Sequence, residues 1–272
     1  MLLQGCGTPA VLEIQHMKNL VFASGFLVPQ SLLGINYFRG LKEHLQQVGA
    51  HAALFPEVPP VGTSDDRARV LADAIKQAYP EGEVHIIAHS MGGLDSRILI
   101  ALNLHGLSAP GRIASLTTLS TPHRGSPVAD LLAGPRPDDA RRILYDGISQ
   151  AVGLLGVDTG ALANLTTQAA SAVPDVIATH KHIRFRSYFA CGRPGLLSTC
   201  FALAPTHHYI LGVTGQENDG VVAKDSAMYG EFQTKFWRCD HVDMIGHNLD
   251  TADLGGFQFN HFAAFDAIIN QL

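Results

Sequence analysis

The chain has 272 residues, of which 46% are hydrophobic and only 16% are charged, and its formal net charge is −5. That length and apolar content suit a single domain, residues 1–272, with a large buried core, and the charged fraction lies below the roughly 25% usual for soluble domains. The acidic balance and scattered basic residues exclude a nucleic-acid footprint, and no uninterrupted apolar run reaches the roughly 18 residues of a membrane-spanning helix.

Strand-like and helix-like segments alternate along the chain. Asn19 to Val28 reads as a buried strand running into a glycine-containing loop, and Tyr37 to Gln47 as a helix. Ala50 to Pro56 is a second strand, stopped by proline. Ser64 to Ala78 is an amphipathic helix, with Ser64 as N-cap and Val70, Leu71, Ala74, Ile75 and Ala78 forming its apolar stripe. Glu83 to Ala88 is a third strand, followed by a helix from Gly92 to Leu104, and Arg112 to Ser120 is a fourth. Ile183 to Cys191 and Thr234 to Cys239 supply the fifth and sixth, and His261 to Leu272 a closing helix. This order predicts an α/β fold with a mostly parallel central sheet of about six strands, flanked by helices. Residues 128–179 break the rhythm with helical segments and no strand. Some fifty residues exceed an ordinary crossover, so the segment reads as a helical cap or lid, the alternative being a pair of packing helices.

The strongest chemical signal is VHIIAHSMGG, Val84 to Gly93. An apolar strand runs straight into Ala88-His89-Ser90-Met91-Gly92, a G-x-S-x-G elbow with alanine in the first small position. The crowded strand-to-helix turn demands small residues on both sides and holds the serine in an unfavourable conformation that exposes its hydroxyl. Ser90 is therefore the candidate nucleophile. An oxyanion needs backbone donors; the elbow supplies Met91 N–H, and the loop at Ser24-Gly25-Phe26 supplies Phe26 N–H. A serine also needs a base oriented by a carboxylate. Asn218-Asp219-Gly220 is a turn leading into Val221 and Val222, which makes Asp219 the candidate acid against the plain reading of a turn. Of the three histidines beyond it, His241 directly follows the strand TKFWRC and is the candidate base; His247 lies deeper in that loop and His261 opens the last helix.

These motifs, in order, resemble the bacterial family I triacylglycerol lipases of Pseudomonas and Burkholderia. The likeness runs from about Asn19 to Asp243 and includes INYFRGL, DDRARVL, AHSMGGLDSR, LTTLSTPHRGSPVADLL, ALANLTTQAA, ENDGVVAKDSAMYGE and DHVD. The resemblance implies an α/β-hydrolase core with a helical lid, carboxylester hydrolysis, and Ser90, Asp219 and His241 as its triad. It implies that Arg67 braces the oxyanion loop. It also implies an ester or lipid substrate, met at a lipid–water or polymer interface, and export from a bacterial cell. Departures from the family are visible. Ser24-Gly25 stands where the family has His-Gly. The family's structural calcium would use Asp243, yet Ser187 to Gln216 contains no Asp or Glu for a second ligand, and His247 is a poor ligand for a hard cation. No cofactor is required by the reading. Among the four cysteines, Cys191 could pair with Cys200 or Cys239, which implies an oxidising compartment, or all could be buried thiols. The fragment LLQGC is similar to the end of a lipoprotein signal, with Cys6 as the lipidated residue. Within enzymes the alternatives are a polyester depolymerase or a short-chain esterase. Outside them, the alternative is a catalytically silent binding protein of the same fold.

Overall fold

The structure is a computed structural model, and it describes residues 18–25, 36–48, 52–59, 62–139, 141–154, 162–192, 200, 202–247 and 259–272. Cys6 and Phe26 lie outside the described residues. Six strands form one sheet in the order β2-β1-β3-β4-β5-β6: β1 Asn19–Ala23, β2 Ala52–Leu54, β3 Val84–His89, β4 Ile113–Leu119, β5 Arg184–Tyr188 and β6 Glu231–Phe232. Every pairing is parallel. β1 and most of β3 are apolar on both faces because helices cover both sides, as a parallel sheet requires; β4 and β5 bury Thr117, Thr118, Arg186 and Ser187 as well.

Strand periodicity sorts the core into two layers. Val21, Ile86 and Ala88 face one side, where they meet Leu71 and Ile75 of α2 (Ser64–Ala78) and Leu99 of α3 (Gly92–Ala101). Their alternates Leu20, Phe22 and Ile87 face the other side, against Leu41 and Leu45 of α1 (Leu41–Val48) and Phe265 and Ile268 of the C-terminal helix His261–Ile269. Between β4 and β5 the chain forms α4 (Pro127–Ala133), α5 (Arg141–Leu154) and α6 (Thr167–Ala172). Val128, Leu132, Ile148, Val152, Leu162 and Leu165 pack there with Met91 and Leu94, so the insertion sits on the start of α3. A further helix, α7 (Ala204–Thr214), joins the same cluster through Ile210. No described helix is long and apolar enough to cross a membrane.

Two local expectations are corrected. The N-cap of α2 is Thr63, whose hydroxyl accepts from Asp66 N at 3.2 Å, and Ser64 is the first helical residue. The last strand is shorter and earlier than TKFWRC: β6 is Glu231–Phe232, and pairing resumes only at an isolated bridge between Trp237 and Ala190. As the sheet's edge it is held from one side alone, so the chain bends away at Thr234–Lys235 without breaking a two-sided ladder.

Candidate active site

The elbow is built by steric exclusion. β3 ends at His89, α3 starts at Gly92, and Ser90 between them adopts φ 56°, a left-handed conformation costly for any residue with a Cβ. Its N–H donates to Leu119 O at 3.0 Å, which ties the turn to β4. The end of β1 runs so close to α3 that a Cβ on Gly92 would lie 2.5 Å from Ala23 O and 2.8 Å from Ser24 O. A Cβ on Gly25 would lie 2.6 Å from Tyr37 Oη and 2.9 Å from Ser90 Cβ. The glycine that closes the motif is thus forced by backbone atoms at the end of β1, and Gly25 by the side chains of Tyr37 and Ser90.

The structure brings Asp219 and His241 together. Asn218 Oδ1 accepts from Gly220 N at 2.9 Å, and Asp219 Oδ1 accepts from Val221 N and Val222 N at 2.9 and 2.7 Å. These amides leave Asp219 Oδ2 to receive His241 Nδ1–H at 2.8 Å, with both side chains essentially buried. A backbone bond from His241 N to Asp219 O at 3.0 Å fixes the two loops. The far nitrogen, His241 Nε2, is buried and has no hydrogen-bond partner. Ser90 and His241 line the same pocket. The insertion contributes Val128, Ala129, Val152, Leu162 and Leu165 to its wall. The two other hydroxyls in the lining are satisfied elsewhere: Ser126 Oγ donates to Val221 O at 2.6 Å and Thr206 Oγ1 to Leu203 O at 2.9 Å. What remains beside Ser90 and His241 is apolar.

Sequence reasoning missed two neighbours of this site. His89 stands 4.5 Å from His241, centroid to centroid, and its Nδ1 accepts from Tyr37 Oη at 2.7 Å. Burial, then the charge His241 can carry, holds His89 well below the usual imidazole range, so it stays neutral. Burial also raises the Tyr37 phenol, which keeps it a donor. The second is Asp95, the partner of Arg67. Arg67 Nε donates to Asp95 Oδ2 at 2.9 Å, and Nη2 to Ser24 O at 2.9 Å and Gly25 O at 3.3 Å. A carboxylate on α3, five residues after the serine, on a helix otherwise short of acids, was the available signal.

Of the other histidines, His247 bonds Tyr37 O at 2.8 Å and His261 bonds Arg39 O at 2.9 Å. Neither shares the Asp219 carboxylate. His123 stacks on Tyr229, ring centroids 4.4 Å apart, and buttresses the loop after β4.

Among the described residues, those around Asp243 do not fit a calcium ion. Asp243 Oδ2 accepts from Asp240 N at 3.2 Å. Asp240 Oδ1 accepts from Val242 N and Asp243 N, and its Oδ2 from Cys200 N at 2.8 Å. These carboxylates close a turn with backbone donors, where a hard cation needs oxygens facing it. No cluster of three metal-binding side chains occurs among the described residues.

The chain is similar to several known proteins. The chain is 29% identical over 222 residues to triacylglycerol lipase 2 of Saccharomyces cerevisiae, covering 79% of this chain and 64% of that protein's length. It is 25% identical over 275 residues to a triacylglycerol lipase of Burkholderia plantarii, covering 79% of this chain and 75% of the relative. In fold it is similar to the crystal structure of Staphylococcus hyicus lipase, with TM-score 0.66, 19% identity, and 98% and 97% of the two chains covered. Residues 26–182 match the family described as the alpha/beta hydrolase fold, and the chain belongs to that family.

Proposed function

We propose that this protein is a carboxylic ester hydrolase that forms an acyl-enzyme on Ser90 and acts on apolar esters such as acylglycerols. The observation that carries the reading is the meeting of Ser90 and a carboxylate-anchored His241 in one apolar cavity. His241 Nε2 takes the Ser90 proton as Oγ attacks the ester carbonyl. Asp219 holds the imidazole in the tautomer with Nε2 unprotonated and stabilises the imidazolium that follows. Met91 N–H holds one side of the oxyanion, with Phe26 N–H as the second donor expected from the sequence. His241 returns its proton to the departing alkoxide, then activates water to release the acid. The buried, neutral His89 adds no competing charge beside the imidazolium.

The apolar walls support an acyl chain as the group that fills the cavity, and relatives named triacylglycerol lipase support the ester class. We read residues 128–179 as a lid, because Val128, Ala129, Val152, Leu162 and Leu165 line the pocket. The substrate is then met at a lipid–water interface. Arg67 braces the strand end beside the serine. Export, with or without lipidation at Cys6, rests on the sequence alone.

Replacing Ser90 with alanine tests the assignment. Hydrolysis of p-nitrophenyl butyrate is expected to fall by about 10⁴-fold or more, and labelling by a fluorophosphonate to vanish. Retained hydrolysis in that variant would falsify the assignment.

A further inference from the structure

We propose that Asp95 is a positioning residue for this hydrolysis, acting through Arg67 to keep the Ser24 and Gly25 carbonyls in register with Met91 at the head of α3. The proposal rests on the reading of Ser90 as nucleophile. Asp95 is buried in α3, and its own amide donates to Met91 O at 3.1 Å. Its Oδ2 takes Arg67 Nε at 2.9 Å. The same guanidinium reaches Ser24 O, Gly25 O and Pro59 O. One planar fork therefore joins the nucleophile helix, the end of β1 and the loop after β2. A guanidinium presents its donors in a fixed plane, so the carboxylate on its Nε side sets the direction in which the remaining donors point. Without Asp95, the carbonyls alone would leave that plane free to turn.

The strand end it holds has almost no slack. Ser24 O is an atom that a Cβ on Gly92 would strike, and Gly25 lies against Ser90 Cβ. A shift of the strand end relative to Met91 changes the space in which the reacting carbonyl must sit.

The second observation concerns the acid itself. Asp95 Oδ1 is buried without a hydrogen-bond partner, while burial raises its carboxyl to about 7 despite Arg67. A half-satisfied buried carboxylate is a costly way to fill space. Its remaining connection is to Arg67, and through Arg67 to the strand end.

The test uses the whole chain with Asp95→Asn, Arg67→Lys and the double variant. With p-nitrophenyl butyrate, D95N is expected to lower kcat by about tenfold to a hundredfold while KM moves less than about twofold. The amides of Ser24 and Gly25 are expected to exchange hydrogen faster than in the wild type. The double variant is expected to be no slower than R67K by more than about twofold, since one brace is lost only once. Wild-type kcat in D95N, losses that multiply in the double variant, or unchanged amide exchange each overturn the proposal. If D95N folds poorly, Asp95→Ser repeats the series. If the wild type hydrolyses no ester and Ser90 takes no fluorophosphonate, the assignment of the nucleophile falls. The exchange rates then still decide whether Asp95 holds the strand end.

Discussion

On the sheet side of Ser90 a single added methyl group has nowhere to go: a Cβ on Gly92 meets the backbone oxygens of Ala23 and Ser24. On the insertion side, a Cβ on Gly147 or Gly153 of α5 meets nothing within 4 Å, and the same helix leaves Ile143 82% exposed. The first wall is made of backbone atoms, glycines and a buried ion pair. The second is made of exchangeable aliphatic side chains. The contrast shows how one site can fix its chemistry while leaving its substrate open. On the proposed reading, reaction geometry rests on the first wall and acyl fit on the second.

The largest effect is expected where the tight wall is breached. Gly92→Ala is expected to cost about 3 kcal/mol or more, because backbone atoms cannot step aside as side chains do, and to lower the melting temperature by about 6–12 °C. An unchanged melting temperature would mean that the two walls do not differ as described.

Next is the ion pair. The Asp95 carboxyl, raised to about 7, is favoured by the fold in its protonated form. Its stabilising contribution is therefore complete below pH ~4, its ordinary range, and is lost as the pH rises through about 7. Urea denaturation at pH 5 and pH 8 is expected to show the wild type losing about 1–3 kcal/mol relative to Asp95→Asn, which cannot titrate. Parallel pH profiles for the two proteins would contradict the shift.

On the permissive wall, Leu162→Phe narrows the cavity. It is expected to reduce kcat/KM for p-nitrophenyl palmitate by about tenfold while leaving the acetate ester within about twofold. Equal losses on both esters would remove Leu162 from the acyl path. The smallest effect is expected at Gly147→Ala, where removing backbone freedom in an open helical position stabilises by about 0.5–1 kcal/mol. A destabilised G147A, by thermal melting, would show that α5 is as tightly fitted as the elbow.

The sheet was legible because β1 and β3 are short apolar runs bounded by turn residues and β4 and β5 carry β-branched or aromatic residues, and the helices because their stripes repeat at the helical period. The edge strand was misplaced because TKFWRC has strand propensity, but one-sided pairing does not compel it to form. At the candidate site, Ser90, Asp219 and His241, which the structure places near one another, were singled out by local signals: an elbow, an Asn-Asp-Gly turn and a histidine placed after TKFWRC. The Arg67–Asp95 and Tyr37–His89 bonds were not, because they join residues 28 and 52 positions apart and exist only once the helices pack. Phe26 lies outside the described residues, so the second oxyanion donor rests on the sequence.

The φ of 56° at Ser90 has a consequence for how this position evolves. Glycine would relieve the left-handed strain at no steric expense, so selection for stability alone pushes the position toward a residue with no hydroxyl. Drift toward glycine here would accompany loss of selection for the chemistry, which makes this codon a record of whether the protein is still in use as an enzyme.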